Sequence, residues 1–189
     1  MKSRLLASLL LSIFTLGLAA GLQDPATPEK PGVEPITVIV VRHAEKAKSV
    51  DNPRDPELSE AGRKRAVDLA KLFEHAGVTH TFSSEFTRTK MTTAPLSAAF
   101  KLKGEVVPAG DTDQQVEMLK KLEPGSVAVV CGHSNTVPGI VAKLGGKAEN
   151  LVDHPRYGPM LHDHEYGRIF VVTIPGVKGS KPSTIELRY

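Results

Sequence analysis

Residues 36–46, ITVIVVRHAEK, join an unbroken β-branched run to a charged pentapeptide. A run such as Ile36 to Val41, with no polar residue on alternate positions, is the pattern of a strand buried on both faces, as parallel strands are when helices cover both sides of their sheet. In an open α/β sheet the ligand site lies beyond the C-terminal ends of the strands. Arg42, His43 and Glu45 are therefore the first residues to ask about chemistry.

Downstream the period changes. Ala66, Leu69, Ala70, Phe73 and Ala76 fall on one helical face and Arg63, Lys64, Asp68 and Lys71 on the other, which predicts an amphipathic helix from Ser59, with Ser59 as its cap and Gly77 at its end. His80 to Ser83 reads as a second strand and the residues through Phe100 as a helix, with Pro95 expected at a turn or kink. Glu105 to Val107 reads as a third strand and Asp113 to Leu122 as a helix capped by Asp111 or Asp113. Val127 to Cys131 is a second buried β-branched run, followed by a short helix over Val137 to Leu144 that Gly145 and Gly146 end. Arg168 to Ile174 and Ser183 to Tyr189 read as a closing hairpin. Alternating strands and helices predict a three-layer α/β sandwich, a mostly parallel central sheet with helices on both faces.

The 189 residues hold 40% hydrophobic and 24% charged residues, so neither a disordered nor a fibrous chain is indicated. Met1 to Ala20 begins with Lys2 and Arg4, runs through apolar residues from Leu5 to Leu18 and ends in small residues, the layout of a signal peptide (1–20). The run is short for a bilayer span, which needs roughly 20 apolar residues, although an uncleaved anchor is the alternative. Residues 21–35, with Pro25, Pro28, Pro31 and Pro35, read as an extended tether, and 36–189 as the folded domain. Export to the periplasm or the exterior follows from the leader. The formal charge of +3 drops to +1 once Lys2 and Arg4 are set aside, and no basic stripe argues for nucleic acid. Beyond the leader nothing predicts a membrane partner. The lone Cys131 excludes an internal disulfide and a multi-cysteine zinc cage, and is read as a small core residue.

The strand ends bring together Arg42, His43 and Glu45, then Ser83 to Arg88, then Asp111 and Asp113, then Gly132, His133, Ser134 and Asn135. Two arginines offer forked donors to phosphoryl oxygens and spread the charge of a transferring phosphoryl group. A neutral imidazole attacks phosphorus when its other ring nitrogen is held, and a second, protonated histidine donates to the equatorial oxygens. A carboxylic acid on a neighbouring loop is then needed for the departing alkoxide.

Arg42-His43, Arg88 within SSEFTRTKMTTA, and Gly132-His133 resemble the motifs of the histidine phosphatase superfamily, and the likeness spans nearly the whole domain. RHAEK, DPELSEAGRKRA and GHSNTVPGIVAKLGG look more like its small phosphatases than its phosphoglycerate mutases. The resemblance implies the phosphoglycerate mutase-like fold, a phospho-accepting His43, phosphate clamps Arg42 and Arg88, and His133 as the second pocket histidine. It also implies a metal-free phosphomonoesterase with no cofactor. Ser134 and Glu45 are expected near the substrate, Glu45 holding Arg42 or a histidine. In mutase-like members a glutamate follows the third strand; here that loop offers Asp111 first and Asp113 second, and either also suits a helix cap.

The expected substrate is a small phosphorylated molecule or a phosphoprotein, and the short chain leaves little for a specificity cap, which predicts an open site. The alternatives are a mutase-like phosphotransferase and a module that binds phosphorylated ligands or a partner with little catalysis. His154, His162 and His164, with Asp163 and Glu165, form a second polar cluster. It is read as a solvated loop before Arg168, with a metal site as the competing reading and with His162 or Tyr166 at the substrate mouth. A bell-shaped pH profile with its optimum below neutrality is expected.

Overall fold

The computed structural model describes residues 33–189; the expected leader and most of the expected tether lie outside the described residues. Six strands form the central sheet in the order β3-β2-β4-β1-β7-β8. They are β1 (Ile36–Arg42), β2 (His80–Ser83), β3 (Glu105–Val106), β4 (Val127–Gly132), β7 (Arg168–Ile174) and β8 (Ser183–Arg188). The pairings β1·β4, β4·β2 and β2·β3 are parallel, while β7 runs antiparallel to β1 and β8 antiparallel to β7. The expected mostly parallel sheet and the closing hairpin are both present.

Alternation along β1 assigns the layers. Val38 and Val40 enter one core with Val116 and Leu119 of α3 (Thr112–Lys120) and Ile140 and Val141 of α4 (Val137–Lys143). Ile39 and Val41 enter the other with Leu69 and Ala70 of α1 (Glu60–Leu72) and Leu96 of α2 (Thr87–Ala99). A strand that feeds two cores needs apolar side chains on both faces, which is why Val38 to Val41 carry no polar alternation, Thr37 standing before them half-buried. Cys131 is buried in the second of these cores, and the apolar surroundings push its thiol up to about 12.

Ser59 caps α1, its hydroxyl accepting from the Gly62 amide at 3.1 Å. Gly62 is where the helix meets the loop after β1: a Cβ there would stand 2.1 Å from the Glu45 carbonyl oxygen. The helix ends at Leu72, ahead of Gly77. Pro95 lies inside α2, which continues to Ala99, so the expected kink is not used to end the helix. A small antiparallel pair, β5 (Val152–His154) and β6 (Gly158–Met160), stands where the sequence predicts only loop. No described helix is long and apolar enough to cross a membrane.

Candidate active site

Because Arg42 pairs with Gly132 in the β1·β4 register, the residues that follow, His43 and His133, emerge side by side. The His43 amide donates to the Gly132 carbonyl at 2.9 Å. The rings then meet edge to face with centroids 5.3 Å apart. Gly132 makes the turn possible, since a Cβ there would stand 2.7 Å from Oγ1 of Thr136. That same hydroxyl accepts from the His133 amide at 2.8 Å.

His43 is 5% exposed, and its Nδ1 lies 2.8 Å from the Ala44 carbonyl. A carbonyl accepts only, so Nδ1 carries the proton and Nε2 is left with its lone pair. Burial first, then the charges of His133, Arg42 and Arg88, push this histidine down to about 3. His133 is 7% exposed, and burial and then Arg88 push it down to about 4, against the opposing charges of Glu85 and Asp55. The Arg88 guanidinium donates to His133 Nδ1 at 3.4 Å, and Nε2 faces the Ser84 hydroxyl at 2.9 Å. Nδ1 therefore accepts and Nε2–H donates, which fixes the neutral tautomer. Ser84 in turn lies 2.8 Å from the Thr89 hydroxyl.

Arg42 is almost wholly buried. Its Nη1 donates to the carbonyls of His162, Asp163 and Glu165 at 2.8 to 3.2 Å, and its guanidinium lies 4.2 Å from the Tyr166 ring centre. Its Nε is buried without a partner. The loop that receives it is anchored by Arg168, 1% exposed, which binds the Glu165 and Glu186 carboxylates and the carbonyls of Glu149 and Asn150. Arg88 lies 4.3 Å from the Phe86 ring centre and pairs with Asp55, whose carboxylate also takes the Thr87 amide and hydroxyl at the start of α2.

Beside this cluster opens a pocket of about 340 Å³ lined by Arg88, His133, Ser134, Asn135, Phe86 and Tyr157, among others. Its lining includes Ala109 and Gly110 from the loop after β3 and no carboxylate. Among the described residues no group of three or more His, Cys, Asp or Glu is placed to hold a metal ion.

Residues 38–109 match the sequence model of the histidine phosphatase superfamily (branch 1). The match runs from β1 to the loop after β3 and takes in Arg42, His43 and Arg88. Over these residues the chain is similar to the histidine phosphatase superfamily. Its fold is shared with several solved proteins. The protein histidine phosphatase SixA complexed with tungstate superposes with a TM-score of 0.61 at 17% identity, over 80% of this chain and 96% of that one. A mycobacterial hydrolase gives 0.56 at 16%, over 81% and 97%. A phosphoserine phosphatase from Entamoeba histolytica, in complex with 3-phosphoglyceric acid, gives 0.56 at 11%, over 82% and 97%. At these identities the likeness is one of fold. No curated protein matches the chain.

Within this domain Arg42, His43, Arg88, His133 and Ser134 stand together beyond the ends of β1, β2 and β4. The acids do not. Asp111 is the N-cap of α3, its carboxylate accepting from the Gln114 amide at 3.1 Å, and it does not line the pocket. Asp113 pairs with Lys143 on the surface. Glu45 holds neither Arg42 nor a histidine: it takes Arg65 through both oxygens at 2.7 and 2.9 Å. It lines a separate cleft with Arg65 and Tyr189. His162 and His164 lie in a loop, not on a strand, with rings 5.6 Å apart. Sequence reading missed Asp55 as a support of the site, and placed Ser84 and Phe86 at the strand ends without giving either a role. Asp55 sits in the DPELSEAG stretch and Ser84 and Phe86 in SSEF, but only the fold shows what they touch.

Proposed function

We propose that this chain is an exported phosphomonoesterase that works without metal through a phosphohistidine on His43. The observation that carries the reading is the His43 hydrogen bond to the Ala44 carbonyl, which leaves an unprotonated Nε2 on a ring that burial keeps neutral. In the first step Nε2 forms a bond to phosphorus as the ester P–O bond breaks. In the second, water attacks phosphorus, the P–N bond breaks and inorganic phosphate leaves. Arg88 and the unpartnered Nε–H of Arg42 supply donors for the phosphoryl oxygens. A buried N–H without a partner is costly, and an oxyanion relieves that cost. A bound dianion also raises the affinity of His133 for a proton, which turns it into a further donor.

Since no carboxylate lines the pocket, the reading favours leaving groups that depart without a strong acid, aryl phosphates and phosphoramidates among them. The likeness to a protein histidine phosphatase agrees with such a preference. Export rests on the leader at residues 1–20.

The test is hydrolysis of an aryl phosphate by the chain starting at Gln23, with and without EDTA. Turnover that resists EDTA and vanishes in His43→Ala is the expected result. Turnover that EDTA abolishes, or that survives the substitution, contradicts the reading. Absence of turnover together with tight vanadate binding would favour the binding module.

A further inference from the structure

A second space of about 340 Å³ continues from the histidine pocket, because Asn135 and Tyr157 line both. Its chemistry differs from that of its neighbour. Pro138, Gly139, Ala142, Ala148, Leu151 and Pro159 supply most of its walls. The one charged side chain there, Lys147, is paired with Glu149 at 2.5 Å. The β5–β6 hairpin closes one side, and its Leu161 amide, just past β6, donates to the Ser134 carbonyl at 2.9 Å. This hairpin is the element that the sequence predicts as plain loop.

Gly139 is the decisive residue. It sits inside α4, where glycine lowers helix stability relative to alanine. A Cβ built on it meets no atom within 4 Å. Packing does not require glycine here, and any larger side chain would project into open space that borders the annexe.

The geometry points to this annexe as the subsite for an apolar portion of the substrate's leaving group, so that the substrate is a phosphate ester of an apolar phenol. The inference rests on the phosphatase reading for its anchor: the phosphoryl group sits at Arg88 and His133, and the organic group extends past Asn135 and Tyr157. Neither a sugar nor a charged metabolite matches walls of this composition, because their hydroxyls or charges would lose water without gaining partners. An alkyl or aryl group gains from the same burial.

The test uses ligands that cannot turn over. Benzylphosphonate and 4-butylbenzylphosphonate share the same anion and differ only in apolar length, and their affinities are read by calorimetry alongside inorganic vanadate. The butyl compound is expected to bind about tenfold tighter or more. Gly139→Leu fills the annexe and is expected to erase that gap while leaving benzylphosphonate and vanadate binding unchanged. Ala142→Glu, on an exposed position of α4, does the same by charge and carries the test if the leucine variant misfolds. Equal affinities in the native chain, or a gap that survives both variants, would overturn the annexe while aryl phosphate turnover left the phosphatase reading standing. Failure to bind any phosphonate or vanadate, with no turnover, would overturn both.

Discussion

His43 and His133 follow directly on register partners of two parallel strands, and their rings meet edge to face 5.3 Å apart. Sheet geometry alone brings them together. Burial disfavours the charged form of both rings, the charge of His133 adds to the effect on His43 and that of Arg88 to the effect on His133, and both are neutral near pH 7. NMR titration of the free protein is expected to show neither ring protonating above pH 5. For turnover the expected profile is bell-shaped with its optimum below neutrality, the alkaline limb reporting His133 in the loaded site; a rate still rising above pH 8 contradicts that.

The same two rings make the fold acid-sensitive. Their folded values, about 3 and about 4, lie below the unfolded histidine value of about 6.5. As pH falls through 6.5 the unfolded chain takes up protons that the folded rings refuse, so stability declines with pH until the folded values are reached. Each ring contributes a slope of at most about 1.4 kcal/mol per pH unit. Denaturant melts between pH 7 and 5 are expected to show this decline, shallower in His133→Gln.

Asp111 separates a cap from an acid. Asp111→Ala is expected to cost about 1 kcal/mol of stability through loss of the Gln114 contact. Asp111→Asn keeps the cap, and on a phosphate ester with a poor leaving group its kcat is expected within about twofold of the native value. A fall of about a hundredfold in that asparagine variant would make Asp111 the proton donor after all.

Arg88 and Arg42 are expected to differ on substitution. Arg88 faces His133 from the pocket lining, so Arg88→Ala should lower kcat/KM by about a hundredfold or more, with little change in melting. Arg42 also ties down the loop of residues 162–165 by three carbonyls. Arg42→Ala should therefore lose both activity and about 2 kcal/mol of stability, measured in the same denaturant series.

Gly132→Ala places a methyl 2.7 Å from the Thr136 hydroxyl that holds the His133 amide. The expected cost is about 1–3 kcal/mol, with a fall in kcat as the His133 loop shifts. Unchanged kinetics would show that the turn has slack.

The layered fold was legible because ITVIVV and VAVVC feed two cores at once, and that pattern has few other readings. The histidine cluster was legible for a related reason: Arg42 ends β1, and His43 and His133 lie immediately beyond β1 and β4, where topology rather than side-chain detail sets position. Asp111 marks the limit, since a carboxylate beside a helix start suits capping and catalysis equally, and only the Gln114 contact separates them. Glu45 went to Arg65, a partner on α1 that no spacing near the strand could indicate. The β5–β6 hairpin escaped because its strands are three residues long, half polar and interrupted by proline, and alternation has no length over which to show.

The most direct test of the central claim is to quench the enzyme during turnover of a labelled aryl phosphate and map the label by peptide mass. A base-stable, acid-labile phosphoryl group on the His43 peptide, absent in His43→Ala, is the expected result. Turnover with no phosphoenzyme, or with the label on another residue, would contradict a phosphohistidine at His43.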